Sequence, residues 1–213
     1  MNEFFWQTFV TLLVVIDPFA VVPVYIGLTH KDSEFSKRMT AKKACLIGLV
    51  LLLSFAFLGD KLLDALNISE PAFRIAGGFL LLLASIEMVV AKNVGLRAPT
   101  GHEEEEASHR SDVSVFPLAI PLLAGPGALT SIVVLMRQAQ TISFSASLGV
   151  ILLTILVLII TYICFRLGNV IMRILGLTGT NVLTRVFGII LAALAVQNMI
   201  TGITAVLRQV PVG

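Results

Sequence analysis

Two stretches decide how this chain folds: Ile16-Asp17-Pro18-Phe19-Ala20-Val21-Val22-Pro23, and Phe116-Pro117-Leu118-Ala119-Ile120-Pro121-Leu122-Leu123-Ala124-Gly125-Pro126-Gly127-Ala128-Leu129-Thr130-Ser131. Both lie inside apolar runs, and both carry residues through which a straight helix cannot continue. Each proline deletes an amide donor, crowds the carbonyl four residues back, and disfavours the helical state of the residue before it. Gly125 and Gly127 add backbone freedom that a straight helix does not need. Both runs are therefore expected to break near mid-membrane into half-helices. Broken backbone at that depth survives only where protein or a wet cavity satisfies the freed amides and carbonyls.

The surrounding composition makes the bilayer setting firm. The 213 residues are 57% hydrophobic and 13% charged, with a mean hydropathy of +0.96. A soluble domain runs at about 45–50% apolar and about 25% charged. A formal charge of +2 is too small to argue for a nucleic-acid partner. Cys45 and Cys164 fall in apolar runs, where a thiol behaves as a small hydrophobe, and no CxxC pair or zinc spacing exists. His102, Glu103, Glu104, Glu105, Glu106 and His109 fit no metal motif and read as a solvated acidic loop. Neither a metal nor a cofactor is expected.

A membrane-crossing helix needs about 20 mostly apolar residues. Six such runs are present, approximately Phe4 to Leu28, Ala44 to Leu63, Phe73 to Ala91, Val113 to Met136, Ser145 to Met172, and Val186 to Leu207. The first is expected to stay in the protein, since Met1-Asn2-Glu3 lacks the positive segment of a signal peptide. The connections after runs one, three and five, with their helix ends, hold eleven of the fifteen Lys and Arg residues; the other side holds Lys61, Arg74, Arg137 and Arg208. Positive loops are retained in the cytoplasm. The expected topology puts both termini outside, with the His30 to Lys43 and Lys92 to Asp112 loops inside.

The second of those loops divides the chain into residues 1–91, a cytoplasmic linker at 92–112, and residues 113–213. The outer parts look like copies of one unit. At an offset of 111, Arg74, Gly77, Leu80, Leu83, Ala84 and Met88 fall on Arg185, Gly188, Leu191, Leu194, Ala195 and Met199, with Glu87 opposite Asn198. Leu58-Gly59-Asp60 matches Leu167-Gly168-Asn169 at 109, and Pro18 with Ala20 matches Pro126 with Ala128 at 108. Three spans per copy is odd, so the copies enter the membrane from opposite faces. Inverted repeats of this kind mark transporters, whose sites lie where matching helices are interrupted. The expected fold is thus an all-α integral membrane protein of six transmembrane helices, arranged as two inverted three-helix repeats with discontinuous first and fourth helices.

Helices starting after Pro18 and Pro126 would offer unpaired N–H groups and a positive dipole end to a carboxylate, and the preceding halves would offer carbonyls to an ammonium or a cation. Two such breaks facing each other make a compact zwitterion site. The candidate substrate-binding residues are Asp17, Pro18, Phe19, Ala20, Gly125, Pro126, Gly127, Ala128, Thr130, Ser131 and Asn198. Asp17 is costly to bury without a role, about 2.5–3.5 kcal/mol on insertion scales. It binds substrate or a coupling ion, or else it caps the second half-helix. Asn198 serves interhelical hydrogen bonding as readily as transport, Glu87 reads first as a snorkelling or interhelical hydrogen-bonding residue rather than one of transport, and Arg74 and Arg185 read as interfacial anchors.

The residues also carry a resemblance. Asp17-Pro18 with Pro23, the Ala72-Phe73-Arg74-Ile75-Ala76-Gly77-Gly78 stretch, and the run from Pro117 to Gly127 resemble the MarC-related family, the small neutral amino acid transporter family, over nearly the whole length. That resemblance implies a bacterial inner-membrane protein that moves glycine or alanine, in the outward direction. Phe19-Ala20-Val21 stands where the family leads one to expect a smaller Gly-Asn type pair, so Phe19 narrows the site or lines its wall.

Other classes fare less well. An intramembrane enzyme would need a catalytic set, and no run holds a buried His, an HExxH or a second aspartate to pair with Asp17. A passive channel or a structural membrane protein is the alternative, since broken helices also build pores. The partners expected are a small neutral amino acid, a coupling ion (proton or sodium), the lipid bilayer and, left open, further copies of the chain in a homo-oligomer.

Overall fold

A computed structural model of the chain describes residues 1–90 and 112–209. The expected 92–112 linker, with His102, the four glutamates and His109, lies outside the described residues except for Asp112. Among the described residues the structure is helical and contains no strand. Helix α1 spans Asn2–Ile16, α2 Pro18–Leu28, α3 Glu34–Ala65 and α4 Glu70–Val90. A wound segment, Ser114–Leu123, leads to α5 at Pro126–Ile142, α6 at Phe144–Arg166 and α7 at Gly168–Gln209.

The starts of these helices follow from short side chains and prolines. Ser33 caps α3 by accepting from the Ser36 amide at 3.2 Å, and Ser143 caps α6 by accepting from the Ala146 amide at 3.1 Å. Pro18 and Pro126 occupy the first turns of α2 and α5, where a missing N–H costs nothing. In Ser114–Leu123 the residues before the two internal prolines are driven extended, Phe116 at φ −130°, ψ 128° and Ile120 at φ −126°, ψ 123°. The carbonyls of Val113 and Ala119 then accept from amides five residues on, Leu118 at 3.4 Å and Ala124 at 2.9 Å.

Five stretches are long and apolar enough to cross a bilayer, with α1 and α2 counting together as Asn2–Leu28. Ser114–Leu123 and Pro126–Ile142, bent by 56° at their junction, qualify together as a sixth, bent span or as a re-entrant loop. The polarity of the bundle suits that setting. Thr8, Thr11, Asp17, Ser85, Thr154 and Thr161 are buried, while Phe35, Leu46, Val50, Phe57, Leu58, Leu62 and many other large apolar side chains are exposed.

Helices α4 and α7 pack along most of their length and run antiparallel. A Cβ on Gly78 would stand 2.5 Å from Met199 Cγ and 2.8 Å from the Ala195 carbonyl; one on Gly188 would meet Met88 and Ser85; one on Gly202 would meet Pro71. Glycines on both partners thus let the backbones approach closely.

Three boundaries differ from the expectation. Helix α3 starts at Glu34, ten residues before the apolar run, because Ser33 caps it and its charged first turns lie beyond the hydrocarbon; 32 residues reach about 48 Å against a core of about 30 Å. The expected run Ser145 to Met172 is two helices, since α6 ends at Arg166 and α7 starts at Gly168. The expected last run, Val186 to Leu207, is the distal part of α7, which bends at Gly176, at φ 62°, ψ −177°. Hydropathy runs smoothly across both positions and so conceals both changes.

Candidate functional site

Asp17 interrupts α1 and α2 by a single residue in the left-handed region, φ 46°, ψ 71°. Asp is one of the few non-glycine residues that adopt this conformation readily. The chain is otherwise tightly tied: the Asp17 amide donates to the Leu13 carbonyl at 2.9 Å, and the Val21 amide donates to the Asp17 carbonyl at 3.3 Å. The carboxylate is fully buried, and its Oδ1 accepts from the Ala20 amide at 3.3 Å. The capping role is therefore present. Pro18 has no N–H and the Ala20 amide faces the carboxylate, so the start of α2 is already served by an anion of the chain's own.

The start of α5 is different. Its N-cap is Gly125, which brings no side-chain cap, so the Gly127 and Ala128 amides meet no capping side chain. Gly125, Pro126, Gly127 and Ala128 line a small cavity with Val15 of α1, Leu80 and Ala84 of α4, and Pro121 and Leu122 of the wound segment. Its volume is about 10 Å³, room for one water. A Cβ on Gly127 would lie 3.1 Å from Leu81 Cδ2 and 3.7 Å from Val15 Cγ1. The end of α1, two residues before Asp17, therefore abuts the first turn of α5.

The remaining expected site residues sit around this junction in different ways. Phe19 turns its ring onto Phe187 of α7, with centroids 6.0 Å apart and edge to face. Thr130 donates its hydroxyl to the Pro126 carbonyl at 2.8 Å and sets its methyl where a Gly77 Cβ would fall, 2.0 Å away. Ser131 is buried at 3% exposure, and its hydroxyl has no hydrogen-bond partner among the described residues; Thr8, at 0%, is in the same position. Asn198 is half-buried on α7. Among the expected residues, the four from Gly125 to Ala128 line the cavity itself. Val15 had no mark in the sequence beyond hydrophobicity, whereas Leu80 and Ala84 fall in the repeated window and Leu122 in the proline-rich run.

The far ends of α3 and α5 and the start of α4 carry a cluster of charges. Arg137 lies 3.0 Å from Asp60, 3.5 Å from Glu70 and 3.9 Å from Asp64, and Arg74 lies 2.7 Å from Glu70. Arg74, read as a lone anchor, is thus part of a bridge across three helices. The i, i+4 spacings of Asp60 with Asp64 and of Glu70 with Arg74 were visible in the sequence. The partner on α5 was not.

The fold and this interior define an all-helical, multi-pass membrane protein. Over residues 2–207 the chain matches the family described as MarC family integral membrane protein, and it belongs to that family. It is similar to the UPF0056 membrane protein MJ1677 of Methanocaldococcus jannaschii, at 38% identity over 96% of this chain and 98% of that one. It is likewise similar to a UPF0056 membrane protein of Aquifex aeolicus, at 35% over 98% of each, and to the UPF0056 membrane protein YhcE of Escherichia coli, at 32% over 95% and 93%. No solved structure matches the chain.

Proposed function

We propose that this protein is a secondary transporter of small neutral amino acids, glycine and alanine in class, working by alternating access in a bacterial inner membrane. It is a carrier and not an enzyme, and it exports. The observation that carries the reading is the meeting of the end of α1 with the uncapped first turn of α5. Because Asp17 already serves the start of α2, the two breaks take opposite roles. The Gly127 and Ala128 amides receive the substrate carboxylate. Asp17 and the carbonyls near it suit the ammonium, or a coupling proton or sodium ion. Gly125, Gly127 and Ala128 leave no room for a large side chain.

The α4–α7 packing supports descent from an inverted repeat. Gly78 packs on Ala195 and Met199, and Gly188 on Ser85 and Met88, so the segments the offset of 111 relates lie against each other antiparallel. With a cavity of about 10 Å³, the site is too small for the five heavy atoms of glycine, so the conformation is a closed one and transport requires the halves to part. The Lys and Arg distribution puts both termini outside, and the Arg137 cluster then holds the outer ends of α3, α4 and α5 together.

The test is counterflow of labelled glycine and L-alanine in proteoliposomes, with proton and sodium gradients varied independently. Saturable exchange blocked by Gly127→Leu is expected, because leucine fills the junction. Folded, inserted protein that shows no saturable exchange would leave a passive channel or a structural membrane protein.

A further inference from the structure

At the end of the bundle opposite the Arg137 cluster, a second cavity opens between the end of α2, the start of α3 and the end of α6. By the same measure it is about 50 Å³ against about 10 Å³ at the helix breaks. Its floor is rigid. The Tyr25 ring stacks on Phe165 at 4.6 Å and 22°, and the Tyr25 hydroxyl donates to the Lys37 carbonyl at 2.8 Å, fastening α2 to α3 and α6. Its wall is polar and mostly cationic: His30, Lys37, Arg38, Arg166 and Asn169, with Glu34 the carboxylate among the lining residues.

The charges are unevenly committed. Lys37 pairs with Glu34 at 2.9 Å. Arg38 and Arg166 form no hydrogen bond or close ion pair among the described residues; Lys37 does most to hold the exposed Glu34 carboxyl below its usual range, and both arginine charges help from a distance. Two arginines lining one cavity, with Asn169 and His30 beside them, offer the planar donor pairs that fit phosphate oxygens. The adjoining exposed face of α3 is apolar except for Lys42, which sits seven residues after Phe35. Phe35, Met39, Leu46 and Val50, at 76%, 53%, 55% and 56% exposure, recur at i, i+4, i+11 and i+15 and so form one face that begins beside Arg38.

We propose that this cavity binds the phosphate of an anionic phospholipid between Arg38 and Arg166, with an acyl chain reaching down to Leu46 and Val50 on the exposed face of α3. The apolar face argues for a lipid over a free phosphate ion, which has no use for it. Basic pockets between membrane helices hold anionic headgroups by the same physics.

The experiment uses the full chain in a neutral detergent. Binding of phosphatidylglycerol, phosphatidylcholine and inorganic phosphate is measured separately, by native mass spectrometry for the lipids and by thermal shift for all three. Wild type is compared with Arg38→Gln/Arg166→Gln, with the more conservative Arg38→Lys/Arg166→Lys, and with Lys61→Gln as a charge control at the far end of α3. Phosphatidylglycerol is expected to bind more tightly than phosphatidylcholine. The double Gln variant should lose roughly thirtyfold in affinity, about fivefold for each basic group removed, while the Lys pair keeps part of it and Lys61→Gln keeps all of it. The proposal is overturned if the double Gln variant, eluting as a folded species, binds phosphatidylglycerol as wild type does. Equal binding of phosphatidylcholine overturns it as well. So does inorganic phosphate that protects as well as the lipid, which would make the cavity a free-anion site.

Discussion

Gly125 and Gly127 lie two residues apart at the same junction, yet alanine is expected to act with opposite sign at the two positions. At Gly125 the backbone, φ −77°, ψ 171°, is open to any residue, so strain does not enter. A Cβ there would stand 2.5 Å from the Pro121 carbonyl oxygen, which has to retreat by about 0.9 Å to reach ordinary contact. That oxygen belongs to backbone held by the Ser114–Leu123 turns, so overpacking costs about 1–3 kcal/mol. Lower chain entropy in the unfolded state offsets about 0.4–1 kcal/mol of this. At Gly127 the neighbours are side-chain tips, Leu81 Cδ2 at 3.1 Å and Val15 Cγ1 at 3.7 Å, which yield by a few tenths of an ångström. There the entropic gain dominates, and Gly127→Ala should be neutral or stabilising by about 0.5 kcal/mol. Equilibrium unfolding in mixed micelles, followed by circular dichroism, should rank Gly127→Ala at or above wild type and Gly125→Ala about 1–2 kcal/mol below it. If Gly125→Ala is as stable as Gly127→Ala, the packing of the wound segment against the start of α5 is not as described.

Three further outcomes follow from the same contacts. Asp17→Ala should cost about 2–3 kcal/mol, adding a lost cap to a left-handed alanine, whereas Asp17→Asn keeps both features; thermal unfolding separates them, and counterflow should fail in the Asn variant although it folds. Arg137→Gln removes a partner shared by Asp60, Asp64 and Glu70, all partly exposed, so the loss should be about 1 kcal/mol and should shrink in 1 M salt when unfolding is repeated there. Hydrogen bonds from Lys43 and from Ser114 hold the Asp112 carboxyl below the usual carboxylate range. Its folded pKa is depressed, so its stabilisation is complete above the unfolded value of about 3.8 and is lost as pH falls through the folded one. Melting curves from pH 7 to pH 3 should therefore show a smaller acid loss for Asp112→Asn than for wild type.

Much of the architecture was legible because a bilayer imposes a length and a polarity on every segment that crosses it. Apolar runs of about 20 residues marked the stretches long and apolar enough to cross a bilayer, and the prolines at Pro18 and Pro126 marked where two helices start again. The wound segment was legible too, since Pro117 and Pro121 dictate extended Phe116 and Ile120. The extra reach of α3, the division of α6 from α7 at Leu167, and the bend at Gly176 were not, because hydropathy averages over a window and registers no change in direction. Of the candidate site, the sequence supplied Gly125 to Ala128 but not Val15, whose side chain differs in no way from dozens of other apolar ones until packing brings it there.

Composition, periodicity and proline placement therefore determined by themselves that the chain lives in a membrane and that helices start again at Pro18 and Pro126, since these depend on local backbone chemistry and on solvent. Tertiary structure alone decided that Asp17 serves the start of α2 while the start of α5 stays uncapped, that Arg137 bridges three helices, and that Arg38 and Arg166 share one cavity. Each of these depends on which residues from distant parts of the chain come within a few ångströms of one another, and hydrogen bonding, ion pairing and steric contact act only over that range.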